Sequence, residues 1–162
     1  MSQHSPVRPR PIDGEVSIAI VASLYNSAYV QGLLDAAREE LGDLAPQAQL
    51  TVYRVPGAFE IPVCAEVVLE AARPDVLIAF GVIIRGSTEH ADLVGSSVTD
   101  ALQRMAVRHM VPVIHEVLLV NSEEQASERC LGLEMNRGAE AAQAAVSMVS
   151  LFRKMNEKFS RE

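Results

Sequence analysis

Short apolar runs alternate with amphipathic segments along the chain from Glu15 onward. The first and third of these runs are nearly unbroken and of strand length, and the four runs predict strands buried on both faces, over residues 16–23, 49–55, 75–84 and 111–119. Between and after them, apolar residues recur at helical spacing, which predicts helices over residues 27–41, 60–72, 89–110, 122–131 and 136–158.

This alternation of strands and helices is typical of an α/β fold. Strands that are apolar on both faces predict a parallel sheet with helices packed on each side. We therefore expect one domain over residues 15–158, built as a four-stranded, flavodoxin-like three-layer sandwich. Residues 1–14 are rich in proline and predict a flexible arm, which a neighbouring subunit could order, for example as an added strand, and residues 159–162 form a short tail.

Composition narrows the classes of function. The 162 residues are 49% hydrophobic and 22% charged, as in a folded globular protein, and the net charge of -7 gives no general attraction to nucleic acid or to anionic membranes. No apolar run is long enough to cross a bilayer and residues 1–14 lack a secretory core, so we expect a cytoplasmic protein. Cys64 and Cys130 leave a disulfide open, but buried thiols are the favoured interpretation, and we expect no metal.

Candidate chemistry follows the carboxyl ends of the strands, where parallel sheets bind ligands. Tyr25 offers a flat face to a heteroaromatic ring and Asn26 offers donor and acceptor groups, although a helix cap beside a packed aromatic explains both. After the second strand, Gly57 permits close approach of a ligand to the backbone and Glu60 suits a helix N-terminus. A tight strand-to-helix turn explains that segment equally well.

The turn after the third strand is a candidate anion site. Gly86, Ser87 and Thr88 precede a long helix, so their N–H groups and hydroxyls can receive a phosphate. His90 falls in the first helical turn, where it is either a proton acceptor or a solvated cap. Arg129 and, further along, an Asn-Arg-Gly segment at 136–138 supply arginines that fit either a phosphate clamp or ordinary surface ion pairs.

Three segments together resemble the lumazine synthase family over about residues 15–155. They are Val-Pro-Gly-Ala-Phe-Glu-Ile-Pro at 55–62, Gly-Val-Ile-Ile-Arg-Gly-Ser-Thr-Glu-His at 81–90, and Gln-Ala-Ser-Glu-Arg at 125–129 with Asn-Arg-Gly at 136–138. The resemblance implies condensation of 5-amino-6-ribitylamino-uracil with 3,4-dihydroxy-2-butanone 4-phosphate to give 6,7-dimethyl-8-ribityllumazine, a riboflavin precursor. It implies no metal and no redox cofactor.

By position, the resemblance also assigns roles to residues. The ribitylamino-pyrimidine would be bound by Tyr25, Asn26, Ala58, Phe59, Glu60, Val82, Ile83 and Ile84. The phosphate would be bound by Gly86, Ser87, Thr88, Arg129 and Arg137, where Arg137 replaces a common family lysine. The catalytic residues would be His90, which moves protons, and Arg129. His115 stands where the family usually has a phenylalanine that is contributed to the neighbouring subunit's site, so a smaller apolar area is buried there.

The resemblance implies a homopentamer, and it leaves open a decamer, a 60-subunit shell and an association with riboflavin synthase. Residues 130–135 differ from the turn typical of the shell-forming members. The alternative functions are a flavin- or lumazine-binding or shell-forming paralogue with weak activity, and an unrelated phosphosugar enzyme.

Overall fold

The four predicted strands form one parallel sheet in the computed structural model, which describes residues 6–133 and 136–161. The strands are β1 (Val16–Ser23), β2 (Ala48–Val55), β3 (Val76–Ile84) and β4 (Val113–Val120). They lie in the order β2-β1-β3-β4, and every neighbouring pair is parallel. The predicted α/β class and sheet are therefore confirmed.

The helices lie where apolar spacing predicts them, with ends that differ by a few residues. They are α1 (Ser27–Leu44), α2 (Ile61–Ala71), α3 (His90–His109), α4 (Glu123–Cys130) and α5 (Arg137–Phe159). A single 3₁₀ turn, Ala58–Glu60, precedes α2 where the sequence predicted the start of the helix itself. No helix within the described ranges combines the length and the apolar character that a membrane span needs.

The sheet separates two apolar cores, which explains why the central strands β1 and β3 are buried on both faces. The prediction of burial on both faces is wrong for β2, because this strand lies at the edge of the sheet, where Gln49, Thr51 and Arg54 are exposed. Alternate residues of β1 point to opposite sides: Ile18 and Ile20 pack with α1 and α5, while Ala19 and Val21 pack with α2 and α3. Helix α4 joins the α1 and α5 layer. The result is the predicted three-layer sandwich, with β4 and β2 at its two edges.

Two glycines allow the helices of one layer to approach closely. A Cβ on Gly138 of α5 would lie 2.0 Å from the carbonyl oxygen of Leu33 in α1, and a Cβ on Gly32 would lie 2.4 Å from that of Cys130. Neither position can hold a larger side chain without separating the helices. Cys130 is a buried free thiol, as expected, and Cys64 is also free but only partly buried.

Part of the N-terminal arm, for which the composition predicts flexibility, contacts the rest of the chain. Arg8 makes a two-point ion pair with Glu40 of α1, with Nε–Oε1 and Nη2–Oε2 distances of 2.6 and 3.1 Å. The backbone N–H of Ile12 donates to the carbonyl of Leu44, and Arg153 of α5 donates to the carbonyl of Asp13. These partners, distant in sequence, hold residues 8–14 against their own subunit. Residues 1–5, 134, 135 and 162 lie outside the described residues, and with them parts of the predicted arm, tail and 130–135 turn.

Candidate active site

A cavity of about 540 Å³ lies at the carboxyl ends of β1, β2 and β3. This volume falls within the range of about 300–1,000 Å³ that is common for small-molecule sites. Its lining residues are Tyr25, Asn26, Gly57, Ala58, Phe59, Glu60, Val82, Ile83, Ile84, Gly86, Thr88, His90, Ala91 and Val94. The topology alone brings these segments together, because the carboxyl ends of parallel strands share one edge of the sheet.

The turn after β1 presents an aromatic ring and an amide to the cavity. Tyr25 is 73% exposed, so its ring lies open at the cavity rim. Asn26 precedes α1 in a left-handed conformation with φ 55°, and its side chain does not cap the helix. Instead, Asn26 Nδ2 donates to the backbone carbonyl of Val82 over 2.7 Å. The capping alternative is therefore wrong, and Asn26 Oδ1 is not committed to that bond.

The turn after β2 is shaped by a short-range bond between Gly57 and Glu60. The Gly57 N–H donates to Glu60 Oε2 over 2.9 Å, which fixes the carboxylate beside the cavity. A Cβ on Gly57 would lie 2.9 Å from that oxygen and 3.2 Å from Tyr25 Cδ2. Gly57 therefore lets the tyrosine ring and the carboxylate approach each other. Phe59, which is 62% exposed, adds a second open aromatic face.

The turn after β3 brings an anion-binding geometry to the same cavity. Gly86 and Thr88 line it, and His90 is the first residue of α3, so its exposed ring lies beside the helix N-terminus. N–H groups at a helix N-terminus are not used within the helix and attract negative charge. Ser87 is exposed in the same turn but does not line the cavity. An anionic group and a proton-transferring ring can thus meet here.

Arg85, in the same segment, is held by side chains of two neighbouring elements. Its Nε and Nη2 donate to both carboxylate oxygens of Asp92 over 3.2 and 2.5 Å, and its Nη1 donates to Asn121 Oδ1 over 2.5 Å. The hydrogen bond from Arg85 holds the pKa of Asp92 below its ordinary value. This brace connects the end of β3 with α3 and with the end of β4.

His115 lies on β4, away from the cavity lining. Its Nε2 is 2.9 Å from Thr99 Oγ1 on α3, and burial lowers the pKa of its half-buried ring. A lowered pKa favours the neutral imidazole, which can stack or accept a hydrogen bond. Because β4 is an edge strand, this ring stands at the border of the subunit.

Arg129 and Arg137 lie in the helical layer on the far side of the sheet from α2 and α3. Arg137 donates from Nε and Nη2 to the two oxygens of Glu116, each over 3.1 Å, and from Nη1 to Glu140 Oε2 over 2.5 Å. Arg129 is half-buried on α4, and within the described ranges no ion pair involves it. Arg137 is therefore already paired with two carboxylates, whereas Arg129 forms no ion pair with the part of the chain that the structure describes.

The cavity gathers most of the residues that the sequence pointed to. Of the fifteen predicted site residues, eleven line it, and Ser87, His115, Arg129 and Arg137 do not. Sequence reasoning missed Ala91 and Val94. Their spacing from His90 could have identified them, because the residues one and four positions after His90 lie in the first turns of α3 and extend the same cavity wall.

The sequence was compared with known proteins. A family model described as 6,7-dimethyl-8-ribityllumazine synthase matches residues 15–153. A protein of that name from Chlorobium limicola is 39% identical over 140 residues, covering 86% of this chain and 90% of the relative. Proteins of the same name from Halorhodospira halophila and Chlorobium phaeobacteroides are 38% and 37% identical, covering 87% and 89% of this chain and 91% and 97% of the relatives.

Proposed function

Because the chain belongs to the 6,7-dimethyl-8-ribityllumazine synthase family, we propose that its cavity condenses 5-amino-6-ribitylamino-uracil with 3,4-dihydroxy-2-butanone 4-phosphate. The product is 6,7-dimethyl-8-ribityllumazine, and phosphate and water are released in this step of riboflavin biosynthesis. The observation that carries the proposal is the cavity at the carboxyl end of the sheet, which joins open aromatic faces to an anion-binding helix start.

The pyrimidine substrate fits the part of the cavity formed after β1 and β2. A flat, polar ring can stack on the exposed face of Tyr25, and backbone groups of Val82–Ile84 line the same space. The Glu60 carboxylate and Asn26 Oδ1 are acceptors suited to the hydroxyls of a ribityl chain. Ala58 and Phe59 complete this wall.

The sugar phosphate fits the turn before α3. Its phosphate would be bound by Gly86 and Thr88, which line the cavity, and by Ser87 in the same exposed turn. This turn leads into the N-terminus of α3, where the first N–H groups have no partner within the helix. The amine of the pyrimidine attacks the ketone and forms an imine with loss of one water. Phosphate then leaves by elimination, and the ribitylamino nitrogen closes the ring on the second carbonyl with loss of a second water. His90, beside both substrates, transfers protons in these steps. Much of the acceleration comes from holding the two substrates in register.

A second subunit completes the site in this proposal. A phosphate dianion calls for positive charge, yet neither Arg129 nor Arg137 lines the cavity of its own subunit. His115 stands at the edge strand of the sheet, consistent with a ring offered to a neighbour. We propose a homopentamer in which each cavity receives His115 and Arg129 from the adjacent copy. The mass in solution tests this, and it distinguishes five copies from ten or sixty. A stable monomer would contradict it.

We also propose that the protein works in the cytoplasm. Two free cysteines, one of them buried, fit a reducing compartment. Localisation of a tagged full-length chain tests this.

Turnover with both substrates tests the reaction. We expect wild-type protein to form lumazine and phosphate in equal amounts. His90→Ala should lower kcat by about 10²-fold or more if the ring is the general acid–base. Arg129→Ala should mainly raise KM for the sugar phosphate, because it removes a charge-assisted contact of about 1.5–3 kcal/mol. Folded wild-type protein that binds a ribityl-pyrimidine but forms no product would instead indicate a binding paralogue.

A further inference from the structure

The residue that holds Arg137 is a carboxylate buried in the α1, α4 and α5 layer. Glu116 lies on β4, its side chain is 8% exposed, and both of its oxygens accept from Arg137. A buried charge is costly unless it is paired and hydrogen-bonded on all sides. The two-point contact gives both carboxylate oxygens a hydrogen bond, so Glu116 favours one orientation of the guanidinium.

Arg137 has little positive charge left for a phosphate. Its Nε, Nη1 and Nη2 each donate to a carboxylate oxygen, and those oxygens belong to Glu116 and Glu140. Two carboxylates beside one guanidinium leave the cluster without net positive charge to attract a phosphate dianion, even where Glu116 is protonated. The charge that the phosphate needs must therefore come from another residue.

Hydrogen bonds also join the start of α5 to the end of α4. Arg137 is the first residue of α5, and Asn136 caps that helix by accepting from the Gly138 N–H over 2.8 Å. The Asn136 amide also donates to the carbonyl of Cys130, the last residue of α4, over 2.8 Å. Arg129 directly precedes Cys130. A continuous polar path thus joins Glu116 on the sheet to the segment that carries Arg129.

We infer that Glu116 and Arg137 are positioning residues, which hold the end of α4 so that Arg129 alone presents its charge to the phosphate of the second substrate. The inference rests on the proposed function and deepens it, because it assigns the substrate's anionic group to one arginine. Arg137 acts through its two-point contact with Glu116, and its guanidinium does not contact the substrate. A lysine cannot reproduce that geometry, because its ammonium is a single point of charge.

Lysine and glutamine at position 137 separate positioning from direct binding. If Arg137 only positions, Arg137→Lys and Arg137→Gln should both raise KM for the sugar phosphate by about tenfold, since small displacements of a binding group are costly. KM for the pyrimidine should stay within about twofold. If Arg137 bound the phosphate through its charge, Arg137→Lys would behave like the wild type and only Arg137→Gln would be impaired, which would overturn the inference.

A double variant tests whether Glu116 acts through Arg137. Glu116→Gln should raise KM for the sugar phosphate as much as Arg137→Lys does. The double variant should also raise this KM by only about tenfold, whereas two independent roles would multiply to about a hundredfold. A multiplied effect would contradict the inference. If Glu116→Gln does not fold, the two variants of Arg137 still decide it.

Arg8→Lys is the matched control, because Arg8 makes the same two-point contact with Glu40 far from the cavity. It should leave both KM values unchanged. Wild-type protein without turnover would refute the proposed function itself. Wild-type turnover together with an unaffected Arg137→Lys would refute only the positioning role.

Discussion

Replacing Gly138 by alanine should destabilise the fold strongly, although alanine is the better helix former. The added Cβ would lie 2.0 Å from the carbonyl oxygen of Leu33 and 2.7 and 2.8 Å from its carbonyl carbon and Cα. All three are backbone atoms of α1, which cannot rotate away as a side chain can. Relief of the clash requires α5 to move away from α1, and so out of the core that these helices share.

The magnitude follows from the size of that movement. Overpacking of a well-packed contact costs about 1–3 kcal/mol, and a clash against backbone on both sides belongs at the upper end, near 3 kcal/mol. The gain in helix propensity, at most about 1 kcal/mol, offsets only part of it. Gly42→Ala is the matched control, because Gly42 also lies in a helix and a Cβ there would meet nothing within 4 Å. That variant should be about 0.5–1 kcal/mol more stable than the wild type.

Urea unfolding followed by circular dichroism measures both variants against the wild type. All three proteins must be compared at one chain concentration, because an oligomer's stability depends on it. We expect the free energies of unfolding of the two alanine variants to differ by about 3 kcal/mol, with Gly138→Ala below the wild type and Gly42→Ala above it. Equal stability of Gly138→Ala and Gly42→Ala would refute the reasoning, since it would mean that α1 and α5 do not need the close approach.

Two further predictions concern the cavity and the buried pair. Gly57→Ala pushes on Tyr25 and Glu60 and should raise KM for the pyrimidine by about tenfold with little loss of stability, since both neighbours are flexible side-chain ends; an unchanged KM would contradict this. Burial raises the pKa of Glu116 to about 7, against the lowering effect of Arg137. The folded state therefore binds the carboxyl proton of Glu116 more tightly than the unfolded state does. The free energy of unfolding should fall by up to about 3 kcal/mol as pH rises from about 4.5 to above 7. Thermal melts of Glu116→Gln should lack this slope, and an equal slope in both proteins would contradict the assignment.

The fold could be predicted from the sequence because its signals are local. Burial on both faces produces the unbroken apolar runs of β1 and β3, and one-sided burial produces the helical spacing. The cavity could be predicted for a similar reason, since each of its lining segments lies at the end of a strand or just after it. Only the ends of elements differ, as at the 3₁₀ turn Ala58–Glu60, where the chain tightens before α2 begins.

What the sequence could not supply are the contacts between distant residues. Asn26 looks like a helix cap until its amide is seen to donate to Val82, 56 positions away. Arg137 looks like a phosphate clamp until its partner Glu116, 21 positions away, is known. No periodicity encodes such a pair, because each residue alone is compatible with a surface position.

Gly138 shows the opposite case, in which a motif residue serves the fold. It stands in the Asn-Arg-Gly segment that resembles a functional signature, yet its lack of a Cβ is required by the packing of α5 on α1. The side chain of Asn136 likewise caps α5 and binds the end of α4. Much of this signature therefore builds the scaffold that carries Arg129.

The central claim is that lumazine forms in a cavity completed by an adjacent subunit, and subunit mixing tests it most directly. His90→Ala removes the proton-transferring ring from the cavity of its own chain, and Arg129→Ala removes the arginine that a chain contributes to its neighbour's cavity. The assay uses a sugar-phosphate concentration well below the wild-type KM, where both variants turn over slowly. Co-refolded in equal amounts, they should regain about a quarter of wild-type turnover, because in a cyclic ring with random order an intact cavity meets an intact arginine at that frequency. Turnover that stays at the level of the separate variants would contradict the account.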